Sequence, residues 1–257
     1  MSNAPNWLGV YTLAAKETRR FIVVWVQALL GPVITTLLFL IIFAVVLRDR
    51  AISIPNTSYL EFLAPGLIMM AILQNSFANS STSILISKVN GSIFDVLTAP
   101  LAPFELVLGY TIGAILRGVI VGLILVAVLG PFGLLPFEQI GNIVFFALGG
   151  ALLFSMLGVV GGILAEKMEH VAFLSNIVIV PLTILSGTFF SIHLLPDWLK
   201  SLSAGNPIFY LIDGFRSGFV GAAEGSLFAG GVITVSASAG LFALCTFLFS
   251  RGYKLKA

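Results

Sequence analysis

Arg117 has the most unusual position in the sequence, because it lies near the middle of an otherwise uncharged apolar stretch, residues 106–129. A charge inside a membrane span is costly, and it normally faces the interior of a helix bundle or a water-filled cavity. Arg117 therefore either serves a functional site or forms a structural pair with a carboxylate that the sequence does not identify.

A second group of polar side chains lies in another apolar stretch, residues 62–86. Because a helix rises about 1.5 Å per residue, Asn79 and the Ser and Thr residues after it are expected to approach the membrane interface. Gln74 and Asn75 are then the polar residues within the membrane. They either join helices through hydrogen bonds or line a translocation surface, and the sequence leaves both interpretations open.

Enzymatic chemistry has little support in the sequence. There is no G-x-x-x-x-G-K-[ST] motif and no Gly-Lys pair, so no P-loop is available for a nucleotide. His170 and His193 are predicted to lie on opposite sides of the membrane, where they cannot share a metal ion. Cys245 lies in an apolar stretch and is expected to pack. We expect a chain that is not an enzyme, with no catalytic, cofactor or metal site of its own.

The composition shows which solvent surrounds these residues. The chain has 257 residues, of which 58% are hydrophobic and 9% are charged, whereas soluble domains are about a quarter charged. A span needs about 20 helical residues, and backbone groups in lipid must pair within their own segment. We therefore predict an all-α membrane protein that forms one transmembrane domain over residues 1–257. Its six spans are expected at residues 21–47, 62–86, 106–129, 140–165, 171–190 and 227–249.

Six spans place both termini on one side of the membrane, and the basic residues indicate which side. With cytoplasmic termini, eight Lys and Arg residues lie inside and four lie outside, as the positive-inside rule favours. The inner residues are Lys16, Arg19, Arg20, Lys88, Lys167, Arg251, Lys254 and Lys256, and the outer ones are Arg48, Arg50, Lys200 and Arg216. The net charge of +2 suits anionic lipids, and the sequence has no basic stripe with interleaved aromatic residues for nucleic acid.

Two cytoplasmic segments have amphipathic patterns. In residues 7–20, apolar side chains recur every three to four positions, which predicts a helix in the membrane interface that anchors the chain or docks a partner. In the loop 87–105, Ser92 and Asp95 can cap a short helix that Pro100 and Pro103 end. Its apolar side chains either meet a partner or pack back on the chain. These side chains are Ile93, Phe94, Val96 and Leu97.

Small residues spaced four apart predict close helix packing, within the chain or between subunits. The pairs are Gly109/Gly113, Gly118/Gly122, Gly158/Gly162 and Ser236/Gly240.

The segment after the fifth span, residues 191–216, is too apolar for a solvated loop and too broken by Pro196, Gly205 and Pro207 to cross the membrane. Short helices that enter the outer leaflet and return satisfy both observations. Asp213 and Arg216, three residues apart, are predicted to lie on one helix face and to pair.

Four stretches in this order resemble the membrane subunits of bacterial ABC transporters of the ABC-2 type, which export drugs, polysaccharides and lipid-linked glycans. They are KETRRFIVVWVQALLGPVI, YLEFLAPGLIMM, FDVLTAPLAPFELVLGY and LSGTFFSIHLLPDWLKSLSAGNPIFYLIDGFR. Together they cover most of the chain, which is similar to the small inner-membrane permeases of enteric type.

The resemblance implies a homodimer in the bacterial inner membrane, surrounded by lipids and driven by two copies of a separate ATPase that binds ATP and Mg²⁺. It implies an interface helix beside the ATPase that contains Trp7, Tyr11, Arg19 and Arg20. It also implies a coupling helix with the contact residues Ser92, Ile93, Phe94, Asp95 and Leu97. The substrate path would follow the dimer interface, lined by the first, second and fifth spans, and re-entrant helices would gate its outer mouth. The candidates for translocation or gating are Gln74, Asn75, Arg117, Trp198, Asn206, Asp213 and Arg216.

Two other classes of function stay open. A secondary transporter would show inverted repeats and acidic residues near the middle of the membrane, where this chain has only Arg117. A membrane assembly subunit that transports nothing would fit the partner-like inner loop equally well.

Overall fold

The structure, a computed structural model, describes residues 5–47 and 57–255. Over these residues it is helical and contains six helical segments long and apolar enough to cross a membrane, which confirms the predicted all-α membrane fold. The segments are Val26–Val46, Tyr59–Val89, Pro103–Phe132, Ile140–Leu164, Met168–Thr188 and Leu227–Arg251. Arg48, Arg50 and Lys256, which entered the charge count, lie outside the described residues.

The helices are numbered in chain order. They are α1 (Trp7–Val23), α2 (Gly31–Leu47), α3 (Tyr59–Val89), α4 (Ile93–Thr98), α5 (Pro103–Leu129), α6 (Ile140–Leu164), α7 (Met168–Phe173), α8 (Val180–Thr183), α9 (Asp197–Ala204), α10 (Pro207–Val220) and α11 (Leu227–Arg251). Three π-helical segments continue the first and fifth spans, at Val26–Leu30, Leu174–Ile179 and Ile184–Thr188.

Helix α3 is the centre of the bundle and packs against α2, α5, α6 and α10. Two of the predicted glycine pairs make this packing close. A Cβ atom at Gly122 of α5 would lie 2.7 Å from Ile72, and one at Gly162 of α6 would lie 2.8 Å from the Ser81 carbonyl oxygen. The other members of these pairs, Gly118 and Gly158, face α3 in the same way. The intrachain interpretation of both pairs is confirmed.

The remaining two pairs differ from each other. Gly109 and Gly113 of α5 receive Leu13 and Glu17 of α1, so this pair also packs within the chain. Ser236 and Gly240 of α11 are exposed, and a Cβ atom at Gly240 would meet nothing within 4 Å. For this last pair the intrachain interpretation is wrong.

Two predicted boundaries need correction. Phe21 was expected to begin the first span, but it belongs to α1 and is buried, and the span itself begins at Val26. The second span was expected to end at residue 86, but α3 continues to Val89. Within this longer helix the hydroxyls of Ser81 and Thr82 donate to carbonyl oxygens of the preceding turn, and Ser80 donates to the Ser155 carbonyl of α6 at 2.7 Å.

The fifth span ends at a break in the helix, where Ser186 has ψ 20° and Gly187 has φ 77°. A positive φ of this size favours glycine, which lacks a Cβ. After the break come a short 3₁₀ turn, Ile192–Leu194, and the helices α9 and α10. Helix α10 is buried on most sides between α3, α6 and α11. The short helices expected in this segment are therefore present, and their entry into the outer leaflet stays a prediction.

Candidate functional site

Helix α4 is held to the bundle by one side chain and presents another outward. Ile93 is 1% exposed and packs in an apolar cluster with Ile84, Leu106 and Tyr110. Phe94, the next residue, is 46% exposed. Asp95 is also exposed, and Leu97 is half-buried against the same cluster. Packing on the chain is thus confirmed for Ile93, and a partner contact at Phe94 stays a prediction.

The predicted capping of α4 is wrong in its details. Ser92 occupies the N-cap position, but its side chain makes no capping hydrogen bond, because its backbone is helical (φ −68°, ψ −6°) rather than extended. Pro103 does not end α4; it is the first residue of α5. There the Glu105 carboxylate accepts hydrogen bonds from the backbone N–H groups of Ala102, at 2.7 Å, and Asn6, at 2.5 Å. This links the beginning of α1 to the beginning of α5.

Two grooves lie beside α4, one on each side. The groove shared with α1 encloses about 640 Å³ and is lined by Leu8, Thr12, Lys16, Asp95 and Pro100, among others. The groove on the other side encloses about 470 Å³, between α4 and the C-terminal residues Lys254 and Leu255. The beginning of α1 and Leu255 therefore both lie at the end of the bundle that carries α4, which we call the α4 end.

Helix α1 is amphipathic as predicted, but its buried face differs from the expected one. Trp7 and Tyr11 are exposed, at 63% and 71%, and Arg19 is exposed as well. The buried side chains are Val10, Leu13, Ala14, Glu17 and Phe21, which pack on α5. Glu17, expected on the polar face, is 0% exposed, because Gly113 leaves room for it against α5.

Glu17 and Arg20 join α1 to the centre of the bundle. The Glu17 carboxylate lies 3.3 Å from Arg20 Nε and 3.7 Å from Lys16 Nζ. Arg20 Nη2 then donates to the backbone carbonyl of Asn79, at 2.7 Å, and to its side-chain oxygen, at 3.0 Å. Arg20 was predicted to belong to the membrane interface; instead it reaches into the packing between α1 and α3.

Arg117 lies beside α3 and pairs with an amide. Its Nη2 donates to Asn75 Oδ1 at 3.2 Å, and Asn75 Nδ2 donates to the Ala71 carbonyl at 2.9 Å. Within the described residues no carboxylate lies within 4.0 Å of Arg117, so a structural ion pair is not its role here. Asn79 lies one helical turn from Asn75, so the contacts of Arg20 and of Arg117 with α3 are neighbours along that helix. We call the residues Glu17, Arg20, Asn79, Asn75 and Arg117 the polar column.

A cleft between α2 and α3 adjoins the polar column. It encloses about 230 Å³ and includes Gln74 and Asn75 of α3 together with Thr35 and Thr36 of α2. Three buried nitrogen atoms of this region have no hydrogen-bond partner among the described residues: Gln74 Nε2, Asn79 Nδ2 and Arg117 Nε. Of the translocation candidates Gln74, Asn75 and Arg117, the structure places the first two at the cleft and brings Arg117 against Asn75.

At the opposite end of the bundle Arg216 is fully buried and acts as a hydrogen-bond donor. Its Nε donates to the Phe62 carbonyl at 3.0 Å, its Nη2 to the Gly187 carbonyl at 2.5 Å, and its guanidinium lies 3.6 Å above the Phe62 ring. Asp213 instead accepts hydrogen bonds from the backbone N–H groups of Glu224, at 3.0 Å, and Gly225, at 2.8 Å. The predicted pair of Asp213 and Arg216 is therefore wrong, because each side chain is committed to backbone groups elsewhere.

The other two candidates at this end have different surroundings. Asn206 caps α10 through its Oδ1, which accepts from the Ile208 N–H at 3.1 Å. Its Nδ2 donates to the Leu182 carbonyl, at 3.1 Å, and to Ser186 Oγ, at 2.8 Å, so that it fastens α10 to the break in the fifth span. Trp198 of α9 is 69% exposed.

Two features of the α4 end were missed by the sequence analysis. Lys88 Nζ donates to the carbonyl oxygens of Ile163, at 2.7 Å, and Ala165, at 2.6 Å, and so satisfies the C-terminal end of α6. Lys254 Nζ lies 2.8 Å from Glu166 Oε1. This exposed pair lowers the pKa of Glu166, chiefly through the hydrogen bond from Lys254, and raises the pKa of Lys254 by the same contact. Lys88 and Lys254 appeared in the sequence only as topology-determining charges.

Six helices long and apolar enough to cross a membrane, together with a buried polar column, define a multi-pass membrane protein. A family model described as ABC-2 type transporter matches residues 9–220. The chain is 36% identical over 251 residues to the inner membrane transport permease YadH of Escherichia coli strain K12, and equally to the protein of that name from Shigella flexneri. Each alignment covers 98% of this chain and 98% of the relative. The chain belongs to the ABC-2 type transporter family and is a transmembrane permease of that type.

Proposed function

We propose that this permease exports a lipid, glycan or drug-like substrate across the bacterial inner membrane, as a homodimer with cytoplasmic termini. Two copies of a separate ATPase, which bind ATP and Mg²⁺, would drive it. Membership of the ABC-2 family supports the need for an ATPase, and the printed names of the relatives support the inner membrane.

The observation that carries the proposal is that α4 buries one apolar side chain and exposes the next one. A helix of six residues with one buried side chain, Ile93, and an exposed aromatic neighbour, Phe94, is fixed to the bundle and still offers an apolar contact. Exposed apolar surface of this kind favours a protein partner. The grooves on both sides of α4 give such a partner a surface that also includes α1, with Trp7, Tyr11 and Arg19 nearby.

The contacts of α4 and α1 could transmit a movement of the ATPase to α3. Helix α4 follows α3 after three residues, and Arg20 fastens α1 to Asn79 of α3. A push on α4 or α1 by a closing ATPase dimer would therefore act on α3, the helix that carries Gln74 and Asn75. At the far end, α3 meets Arg216 through the Phe62 carbonyl. In this proposal α9 and α10, with Trp198, Asn206, Asp213 and Arg216, form the outer gate.

The decisive experiment is retention of the ATPase on the purified permease. The tagged chain is co-expressed with an ABC-type ATPase encoded beside it, and the amount of ATPase that co-purifies is measured. We expect Phe94→Glu to reduce retention by about tenfold, because a charge at an apolar contact leaves it desolvated and unpaired. The matched control is Phe132→Glu, since Phe132 is exposed to 70% in the connection between α5 and α6. Equal retention by both variants contradicts the assignment of α4.

A second measurement separates this function from the two alternatives. The chain is reconstituted in vesicles with and without the ATPase, and ATP-dependent release of candidate substrates is followed. Transport by the chain alone, driven by an ion gradient, overturns the proposal in favour of a secondary transporter. ATPase binding with no transport of any candidate, and with no ATPase stimulation, favours an assembly subunit.

A further inference from the structure

The cleft between α2 and α3 has more hydrogen-bonding capacity than the protein itself uses. Within the described part of the chain, the side chains of Thr35, Thr36 and Gln74 have no hydrogen-bond partner, although all three line the cleft. Hydroxyls in helices usually donate to a carbonyl oxygen of the preceding turn, as Thr82 and Thr111 do in this chain. Free polar groups at a cleft within the membrane are expensive, because lipid cannot satisfy them.

The charge beside the cleft is positive and uncompensated. Arg117 lies behind Asn75, whose Oδ1 accepts its Nη2 at 3.2 Å, and Asn75 itself lines the cleft. Arg20 adds a second positive charge one helical turn along α3, at Asn79. The nearby carboxylate, Glu17, is already shared between Arg20 and Lys16. The described residues around the polar column therefore carry more positive than negative charge.

The unpaired nitrogen atoms nearest the cleft are hydrogen-bond donors, whereas the unpaired acceptor of the polar column, Glu17 Oε1, lies 3.7 Å from the Lys16 ammonium group. Arg117 Nε can only donate. The orientation of the Asn79 amide is fixed by Arg20, which donates to its Oδ1, so that Nδ2 is the end without a partner. Gln74 Nε2 is unpaired as well, and both threonine hydroxyls can donate. Unpaired donors together with an excess of positive charge are complementary to an anionic group with several oxygen atoms.

We propose that the α2–α3 cleft binds an anionic, phosphate-like group of the transported molecule, with Arg117 as its counter-charge and Thr36 and Gln74 as donors. The proposal rests on the proposed function, since it takes the bound anion to be cargo, but the binding itself requires no ATPase. The cleft volume of about 230 Å³ has room for a single phosphate-sized group. The shared chemistry fits the phosphate of a lipid headgroup or a free phosphate, and the experiment distinguishes the two sources.

Binding is measured by native mass spectrometry and by thermal shift on the full chain, purified alone in a neutral maltoside detergent. The probes are dihexanoyl phosphatidic acid, inorganic phosphate and, as the uncharged comparison, dihexanoylglycerol. We expect at least one of the two anions to bind and dihexanoylglycerol to bind at least tenfold more weakly. Binding of phosphatidic acid alone identifies a lipid headgroup as the source, and binding of inorganic phosphate identifies a free anion. If neither anion binds, or if dihexanoylglycerol binds equally well, the proposal is overturned.

Substitutions at Arg117 and Thr36 test whether these residues bind a ligand or only pack within the protein. Arg117→Gln should weaken anion binding at least tenfold, the loss expected when a charge-assisted contact is removed. Arg117→Lys should restore most of it. Arg251→Gln, which removes an exposed charge at the end of α11, should change affinity less than twofold. If Arg117→Gln does not fold, Thr36→Val takes its place, because it removes a hydroxyl with no protein partner, and it should weaken binding about threefold. Equal effects of Arg117→Gln and Arg251→Gln, or unchanged binding in Thr36→Val, contradict the proposal.

Failure of this inference can be told from failure of the proposed function. If the ATPase co-purifies but neither anion binds, the permease assignment stands and only the anion site is wrong. If the anion binds in an Arg117-dependent manner but the ATPase is not retained, the site stands and the ABC mechanism is wrong.

Discussion

Arg20 donates two hydrogen bonds to Asn79, one to the backbone carbonyl at 2.7 Å and one to the side-chain oxygen at 3.0 Å, across 59 positions of sequence. The contact fastens the end of an amphipathic helix to the central helix of the bundle. Since Glu17 holds Arg20 from the other side, at 3.3 Å, the guanidinium is fixed in direction. Helices α1 and α3 should therefore move as one unit.

Loss of this contact should destabilise the protein. Arg20→Met leaves the Glu17 carboxylate and the Asn79 oxygen without their donor, and we expect the free energy of unfolding to fall by about 2 kcal/mol. Thermal unfolding in detergent measures the change. Arg19→Met is the matched control, because Arg19 is the adjacent residue and is exposed. Equal melting temperatures of the two variants would show that the Arg20 contact contributes nothing.

Substitutions at two adjacent residues of α4 should have different effects, one on stability and the other on partner binding. Ile93→Ala removes buried side-chain volume and should cost about 2–4 kcal/mol of stability. Phe94→Ala should leave the unfolding temperature nearly unchanged and lower ATPase retention, because its side chain is half exposed. The two measurements are thermal unfolding and co-purification. A Phe94→Ala variant that is as destabilised as Ile93→Ala would indicate a packing role for both residues.

Arg216 should be irreplaceable by another cation. Arg216→Lys keeps the charge but cannot reach both the Phe62 and Gly187 carbonyl oxygens, because an ammonium group lacks the planar fork of a guanidinium. We expect a loss of about 3 kcal/mol, from two hydrogen bonds to a charged group. Lys200→Arg, on the exposed helix α9, is the control in chemical denaturation and should show no change. A fully stable Arg216→Lys variant would refute the role of the forked contact.

The glycine pairs should respond differently to the same substitution. Gly158→Ala places a methyl group against the Phe77 carbonyl and Ser80, and we expect a loss of about 1–3 kcal/mol from overpacking. Gly240→Ala meets nothing within 4 Å and should leave the stability of the monomer unchanged. Unfolding of the monomeric chain in detergent compares them. A larger effect of Gly240→Ala would contradict the assignment of packing to α6 and α3.

The ion pair between Lys254 and Glu166 should break at both low and high pH, which would free the segment around Lys254 from the bundle. Lys254 holds the pKa of Glu166 below its usual value of 4.5, so the contribution of the pair is complete above that pH and is lost as the pH falls through the lowered pKa. Glu166 raises the pKa of Lys254 above 10.5, so the contribution is also lost as the pH rises through that raised pKa. A spin label at Tyr253→Cys, in a Cys245→Ala background, should therefore be mobile at both extremes and less mobile at pH 7.

Glu166→Gln serves as the control for this pH response. The variant lacks the ion pair, so the label should be equally mobile across the whole range. If the label has the same mobility at pH 7 with and without Glu166, the pair does not hold the C-terminal residues.

Local sequence patterns were sufficient to predict where most of the helices lie. Apolar stretches of about 20 residues predicted the six spans because a helix must satisfy its own backbone in lipid. The short helix after α3 and the helices after the fifth span followed from turn residues such as Pro100 and Pro207, and the spacing of small residues predicted three of the close helix contacts. Each of these signals lies within one short segment of the sequence.

The partners of the polar side chains were decided by the tertiary structure alone. Asn75 meets Arg117 across 42 positions, and Phe62 meets Arg216 across 154, where no local period applies. Asp213 lies three residues from Arg216 and still bonds to the backbone of Gly225, because burial requires each polar group to be satisfied by whatever the packing brings near it. The sequence by itself determined a six-helix membrane protein with an arginine in its interior. Only the packing of α5 against α3 decided that this arginine meets the amide of Asn75, which itself lines a cleft, rather than a carboxylate.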